Sequence, residues 1–219
     1  ERFRQHFINF AAAREAVGLI SNSHTRVIDA STAHRVKEGW VYGIPEMNPG
    51  QRERIRRADR LCVPGCYASG FVLCLHPLVA GGLVPQDYPV TSHAVTGYSG
   101  GGRQMIASYE APDQDRQEIA CRPKNLNLGH KHLPEMQKHG LLTNPPLFFP
   151  VVGDFYRGML VFVPLILRLL RQGTTADRVR DYLEGYYASE RFVHVKTKEE
   201  SEALADGFLS PLGCNGTNN

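Results

Sequence analysis

The turn Pro64-Gly65 and the apolar run behind it constrain this chain more than any other stretch. Leu61-Cys62-Val63-Pro64-Gly65-Cys66-Tyr67-Ala68-Ser69-Gly70 leads directly into Phe71 to Leu78. A run that long and apolar after a Pro-Gly turn predicts a buried helix. Cys66 then stands at the helix start, where unpaired N–H groups and the positive dipole end favour an anion. The thiolate is the nucleophilic form of cysteine, so a reactive cysteine fits there. At the ordinary thiol pKa only roughly three per cent is ionised at neutral pH. Bringing the pKa near 7 takes about 2 kcal/mol, whereas a helix end typically supplies less than about 1. A second positive or basic group is therefore expected beside Cys66. From these residues alone, a small buried structural cysteine in a turn is the competing reading.

A chain of 219 residues, 42% hydrophobic, can bury a real core in one large or two small domains. Its formal charge of +3 suits an anionic small molecule and makes no case for nucleic acid. Arg52, Arg54, Arg56 and Arg57 share a segment with Glu53 and no aromatic, which is the pattern of a solvated face. The five cysteines (Cys62, Cys66, Cys74, Cys121 and Cys214) contain no CxxC spacing, so neither a zinc site nor a disulfide framework is expected. Leu160 to Leu170 is too short to span a membrane and is broken by Pro164 and Arg168. A reducing, cytoplasmic setting follows as the expectation.

From the start of the chain, Glu1 to Ile20 reads as a helix and Arg26 to Ala30 as a short buried strand. Ser31-Thr32-Ala33-His34-Arg35 leaves the carboxyl end of that strand, where ligands bind in open α/β sheets. The pair reads as the last part of a doubly wound nucleotide-binding unit, with no G-x-G-x-x-G before it. Asn48-Pro49 predicts a capped helix running to about Asp59. Beyond the Cys66 helix, which Gly81-Gly82 should end, Tyr88 to Thr96 reads as a strand. It runs into Gly97-Tyr98-Ser99-Gly100-Gly101-Gly102-Arg103, whose glycines let backbone N–H groups approach an oxyanion or phosphate. The loop matches G-x-S-x-G, so a serine hydrolase centred on Ser99 has to be weighed. The half-polar segment that follows and the lack of an HGGG-type loop make the match coincidental.

Residues Ala111 to Asn127 read as an exposed, irregular excursion. In Gly129-His130-Lys131-His132-Leu133-Pro134-Glu135 two histidines at i, i+2 share a face of an extended segment, with a carboxylate just beyond. Three readings compete: a metal site, surface histidines in a loop, and acid–base partners of a thiol whose imidazole the carboxylate orients. The need of Cys66 for a partner favours the third. Leu147 to Val152 and Met159 to Val163 read as an antiparallel pair joined by Gly153 to Gly158. Thr175 should cap a helix to about Tyr187, followed by a strand at Phe192 to Val195 and a short helix at Ser201 to Ala205.

Five motifs in this order, Ser31 to Arg35, Val41 to Glu46, Pro64 to Tyr67, Gly97 to Gly102 and His130 to Glu135, resemble those of N-acetyl-gamma-glutamyl-phosphate reductase, most closely its short form. The resemblance covers the chain from about Ala11 onward. It implies an α/β plus α+β fold: a partial Rossmann-type NAD(P)-binding domain at residues 1–65, then a semialdehyde-dehydrogenase-like catalytic and dimerisation domain with a mixed or antiparallel sheet at 66–219. It implies NADPH-dependent reduction of an acyl phosphate to an aldehyde in arginine biosynthesis, by a homo-oligomer. Cys66 would form the thioester, with His130 or His132 handling the proton. Arg35, Arg103 and Glu135 would meet the substrate, and Ser31, Gly100 and Gly101 the cofactor.

Family members usually read Asn-Pro-Gly-Cys-Tyr-Pro-Thr at the nucleophile, where this chain has Val63, Ala68 and Ser69 in place of the Asn, the second Pro and the Thr. The opening phosphate-binding unit of the family and its closing segment are not matched, so weak NADPH binding by these residues alone is expected. Three classes stay open: a reductase, a Ser99 hydrolase, and a non-catalytic member of the reductase family.

Overall fold

The computed structural model describes residues 10–217. The predicted first helix is α1, Phe10–Gly18; its earlier part, from Glu1, lies outside the described residues. Three short strands follow around one helix: β1 (Val27–Asp29), β2 (Val41–Tyr42), α2 (Gln51–Arg57) and β3 (Arg60–Cys62). They form a parallel sheet in the order β1-β3-β2, with Asp29 and Tyr42 both paired to Cys62. All three strands therefore end on one edge, and the segments Ser31 to Arg35, Gly43 to Pro45 and Val63 to Cys66 leave from it together. The middle strand, β3, was not foreseen. Nor does Asn48 cap α2: the helix begins after Gly50, whose φ of 81° is left-handed, and the Asn48 carboxamide oxygen accepts from Arg54 instead.

The core is built on α3 (Cys66–Ala80), which starts at the Pro64-Gly65 turn as expected. Tyr67, Ala68, Phe71, Val72, Leu75 and Leu78 are buried on several faces, as befits a helix that is apolar all round. Pro77 sits inside the helix, and Gly81 ends it by donating its N–H to the Pro77 carbonyl.

A second sheet covers α3. It is formed by β4 (Thr91–Gly97), β5 (Cys121–Pro123), β6 (Leu147–Gly153) and β7 (Met159–Phe162), in the order β5-β6-β4-β7. Here α4 (Arg103–Tyr109) and α5 (Arg116–Ile119) precede β5, and α6 (Leu133–His139) lies between β5 and β6. The predicted hairpin of β6 with β7 does not form. β4 lies between them, parallel to β6 and antiparallel to β7. Residues 111–127 are likewise not wholly irregular, because β5 pairs with the edge of β6. One face of the sheet buries Ala94, Phe148 and Val152. The other presents a row in register across three strands, Phe149, His93 and Phe162, with both phenylalanines exposed.

Thr175 caps α7 (Ala176–Tyr187) as predicted, accepting from the Arg178 N–H. Val179, Tyr182 and Leu183 pack on the core, and the Tyr187 hydroxyl donates to the Leu73 carbonyl of α3. Phe192 to Val195 is not a strand: among the described residues no strand pairs with it. The last helix, α8, spans Lys198–Glu202 rather than Ser201 to Ala205, because Thr197 and Glu200 form a capping box. Among the described residues no helix is long and apolar enough to cross a membrane.

Candidate active site

Cys66 is the first residue of α3 and is exposed, while Gly65 before it is extended (φ −74°, ψ 145°) and buried. A side chain at Gly65 would put its Cβ 2.4 Å from His132 Nε2 and 2.6 Å from Arg35 Nη1. Glycine is thus required by close approach, and the turn is pressed directly against two of the expected site residues. The Ser69 hydroxyl donates to the Gly65 carbonyl at 3.1 Å, and the Ser69 N–H does so at 2.9 Å. Val63, where the family usually has Asn, holds its place through the backbone. Its N–H donates to the Asp29 carbonyl (2.8 Å), and its carbonyl accepts from Arg35 Nε (2.9 Å).

Glu135 anchors this arrangement. It is 1% exposed and accepts from Arg35 Nη1 at 2.7 Å, the Tyr42 hydroxyl at 2.7 Å and the Gly65 N–H at 3.0 Å. The carboxylate therefore ties the Cys66 turn to both the Ser31–Arg35 segment and β2. Burial, then the Glu135 charge, raise the Tyr42 phenol pKa. Arg35 also donates to the Ala30 carbonyl at 3.2 Å, so its fork is taken up inside the protein. The expected role of Glu135 in orienting an imidazole is not borne out by the distance: His132 Nε2 lies 3.8 Å from Glu135 Oε1, beyond a hydrogen bond.

His130 and His132 are buried, which overturns the reading as surface histidines in a loop. They sit just before α6 with their rings edge to face at 4.6 Å, and both rings contact Tyr67. The His132 N–H donates to His130 Nδ1 at 3.1 Å, so neutral His130 carries its proton on Nε2. Burial, reinforced by Lys124 and Lys131, pushes the His130 pKa down to about 4. Burial, reinforced by His130 and Arg35, pushes His132 down to about 3, and its Nδ1 is buried without a partner. Both imidazoles are neutral at pH 7. Among the described residues no group of three or more His, Cys, Asp or Glu is placed to hold a metal ion.

A cation missed in the sequence stands nearby. Lys124 follows β5, and its Nζ lies 5.8 Å from the Tyr67 ring centre. Burial lowers its pKa, while Cys66 acts on it in the opposite sense. Lys124 is linked to Cys66 by no local motif, since 58 positions separate them; only the pairing of β5 with β6 brings it in.

The remaining expected residues lie apart from this cluster. Ser31 is buried at the end of β1, its hydroxyl donating to Asp29 and accepting from the Ala33 N–H. Gly100 and Gly101 are exposed in the 3-10 turn Tyr98–Gly101, and Arg103 is exposed at the start of α4. Ser99 lies in the same turn; its backbone pairs with Tyr156, and no histidine reaches its hydroxyl among the described residues. Gly101 and Lys124 line one cavity of about 370 Å³, together with Met105, Tyr109 and Arg122.

Residues 66–209 match the family model described as "Semialdehyde dehydrogenase, dimerisation domain", and the chain belongs to that family. Solved structures agree at the level of the fold. An aspartate semialdehyde dehydrogenase from Francisella tularensis superposes with a TM-score of 0.61 at 17% identity, covering 95% of this chain and 66% of that one. Within the family, the chain is a homologue of the N-acetyl-gamma-glutamyl-phosphate reductases. It is 46% identical over 212 residues to "N-acetyl-gamma-glutamyl-phosphate reductase 2" of Nostoc sp., covering 94% of this chain and 66% of the relative. It is 45% identical over 208 residues to the reductase of Burkholderia cenocepacia, covering 95% and 66%. The chain thus spans 66% of the length of these relatives.

Proposed function

We propose that this chain carries the thiol chemistry of an N-acetyl-gamma-glutamyl-phosphate reductase: NADPH-dependent conversion of N-acetyl-glutamyl 5-phosphate to N-acetyl-glutamate 5-semialdehyde and phosphate. The observation that carries the reading is the exposed Cys66 at the start of α3, pressed by way of Gly65 against buried, neutral His132. The Cys66 thiolate attacks the acyl carbon; the C–S bond forms, the C–O bond to phosphate breaks, and phosphate leaves with the electron pair. His130 or His132 exchanges the proton, the neutral form of each being the one present at working pH. The division at residues 1–65 and 66–219 is part of this reading, the first being the Rossmann-type, cofactor-facing part. The described residues fit NADPH only in part. Ser31 is spent on internal bonds, and Gly100 and Gly101 form no clamp at a helix start. Reduction by NADPH is supported by the likeness to the relatives. A homo-oligomer joined through the exposed face of the second sheet, around Phe149, His93 and Phe162, completes the reading.

The test is Cys66→Ser, assayed by NADPH consumption on the acyl phosphate and by phosphate-dependent oxidation of the semialdehyde. Activity is expected to vanish. Iodoacetamide followed by mass mapping should find Cys66 labelled before Cys74, Cys121 and Cys214, which are also exposed. Cys62, buried and with its pKa pushed up to about 12, should label last. Cys66 labelling fastest in a chain with no turnover would mark it as a non-catalytic member; turnover surviving in Cys66→Ser would overturn the reading.

A further inference from the structure

Tyr67, the residue next to Cys66, is where the helix of the nucleophile meets both imidazoles. Its buried ring is met edge-on by His130 at 5.5 Å, at a tilt by His132 at 5.8 Å and edge-on by Phe148 of β6 at 5.1 Å. Phe148, also buried, meets His130 edge to face at 5.1 Å. Tyr67, Phe148, His130 and His132 thus close on one another from the first turn of α3, from β6 and from the approach to α6. All these centre-to-centre distances suit aromatic packing of edges against faces. Hydrogen bonds do not fix the second imidazole. His132 Nδ1 is buried with no partner among the described residues, and Nε2 stands 3.8 Å from Glu135 Oε1, too far for a hydrogen bond. His130 is held by one bond, from the His132 N–H to its Nδ1. The charged groups acting on the pair are Lys124 and Lys131 on both rings and Arg35 on His132, with Cys66 the titratable neighbour of Tyr67. The neighbouring acid, Glu135, is itself bound to Arg35 at 2.7 Å. These cations oppose an imidazolium, and exclusion of water by the rings works in the same direction.

We infer that Tyr67 and Phe148 are positioning residues: their rings, rather than hydrogen bonds, hold the two imidazoles against the turn that carries Cys66 and keep water from them. Tyr67 then couples the two halves of the chemistry, because the residue that follows the nucleophile is also the wall of the acid–base pair. A ring lost from this cluster leaves His132 with nothing to set its orientation and opens both imidazoles to solvent. The inference rests on the reductase reading above for what the imidazoles do, but the packing can be tested without turnover.

The test compares Tyr67→Leu, Phe148→Leu and Tyr67→Phe with Phe71→Leu, which removes a fully buried α3 ring that stacks on neither histidine. Histidine resonances are followed by NMR in the full chain as the pH is lowered, and are assigned with His130→Asn and His132→Asn. In the native protein both imidazoles should stay neutral down to about pH 5. In Tyr67→Leu and Phe148→Leu at least one of them should titrate above about pH 5, towards the ordinary 6.5, because water reaches it. Tyr67→Phe, which keeps the ring, and Phe71→Leu, which costs core packing elsewhere, should titrate as the native protein does. Unchanged titration in both Tyr67→Leu and Phe148→Leu, or an equal rise in Phe71→Leu, overturns the inference. Where turnover is measured, Tyr67→Leu should lower kcat at least about tenfold and move the acid limb of the pH profile upward, while Tyr67→Phe stays within about threefold of the native rate. A loss in Tyr67→Phe as large as in Tyr67→Leu would assign the effect to the hydroxyl and refute the role of the ring. A raised titration in a chain without turnover would remove the reductase reading and leave the ring packing standing.

Discussion

The two sheets of this molecule are built on opposite plans. The first has strands of three, two and three residues, all parallel, ending at a buried polar cluster in which His34 Nδ1 meets Asp29 at 2.6 Å and Ser31 bonds the same carboxylate. The second rests on two seven-residue strands in full register, one face against α3 and the other carrying exposed phenylalanines. Both sheets share one apolar core, to which the first sheet and its loops contribute Tyr42, Ile44, Met47 and Cys62; Glu135 on α6 adds polar ties to β2, Arg35 and the Cys66 turn. Cys66 lies at the seam. Its position is therefore set by close packing in the shared core together with a few directional bonds from the first sheet's side.

Glu135→Ala is the sharpest way to break that arrangement. It strips a buried carboxylate from Arg35, the Tyr42 hydroxyl and the Gly65 N–H, and a loss of about 3–5 kcal/mol is expected. Urea unfolding measures it; a cost below about 1 kcal/mol would show that the seam is held by packing alone. His130→Asn and His132→Asn should each lower turnover roughly a hundredfold. A drop of that size in turnover, with thermal stability little changed, separates chemistry at the seam from its architecture.

Acid should act through the same two histidines. In the folded chain burial holds His130 at about 4 and His132 at about 3, below the ordinary 6.5. The unfolded chain therefore binds protons that the folded chain refuses. The stability they contribute is full above pH 6.5 and is lost as pH falls towards 4 and then 3. Each histidine should cost on the order of 1–2 kcal/mol between pH 6.5 and pH 5. A His130→Asn, His132→Asn double variant should flatten that slope; an unchanged slope would place the acid sensitivity elsewhere. The smallest effect is expected far from the seam. Thr175→Ala, which removes the cap of α7, should cost about 1 kcal/mol in thermal unfolding and leave Cys66 labelling unchanged.

What could be seen in the sequence was whatever is decided within one or two turns of chain. The Cys66 helix and its stop at Gly81, the Thr175 cap and the order of motifs are all local signals. β3 escaped because Arg60-Leu61-Cys62 has only three residues and runs straight into the Pro64-Gly65 turn. The sequence points to a β6–β7 hairpin because a short turn between two apolar runs favours pairing. Only the long β4, laid down 50 residues earlier, shows that the place between them is taken. β5 carries no strand signature: it is exposed along its length and ends in Pro123. Cys66 and the two histidines stand out as candidates by residue type, and the structure brings His132 against the Cys66 turn. The function of Glu135 was not legible, because its partners lie 70 to 100 positions upstream. Lys124 was hidden for the same reason.

The single tryptophan of the chain gives one of these two regions a voice of its own. Trp40 stacks face to face on His34, ring centres 4.0 Å apart, in the first sheet's polar cluster. Emission excited at the red edge, where tyrosine does not absorb, therefore comes from the first sheet's side of the seam alone, whereas far-ultraviolet dichroism sums over both. Melting the protein with the two signals in parallel would show whether the short parallel sheet lets go first. If it does, the indole reports optically on the moment when the turn carrying Cys66 loses one of its two supports.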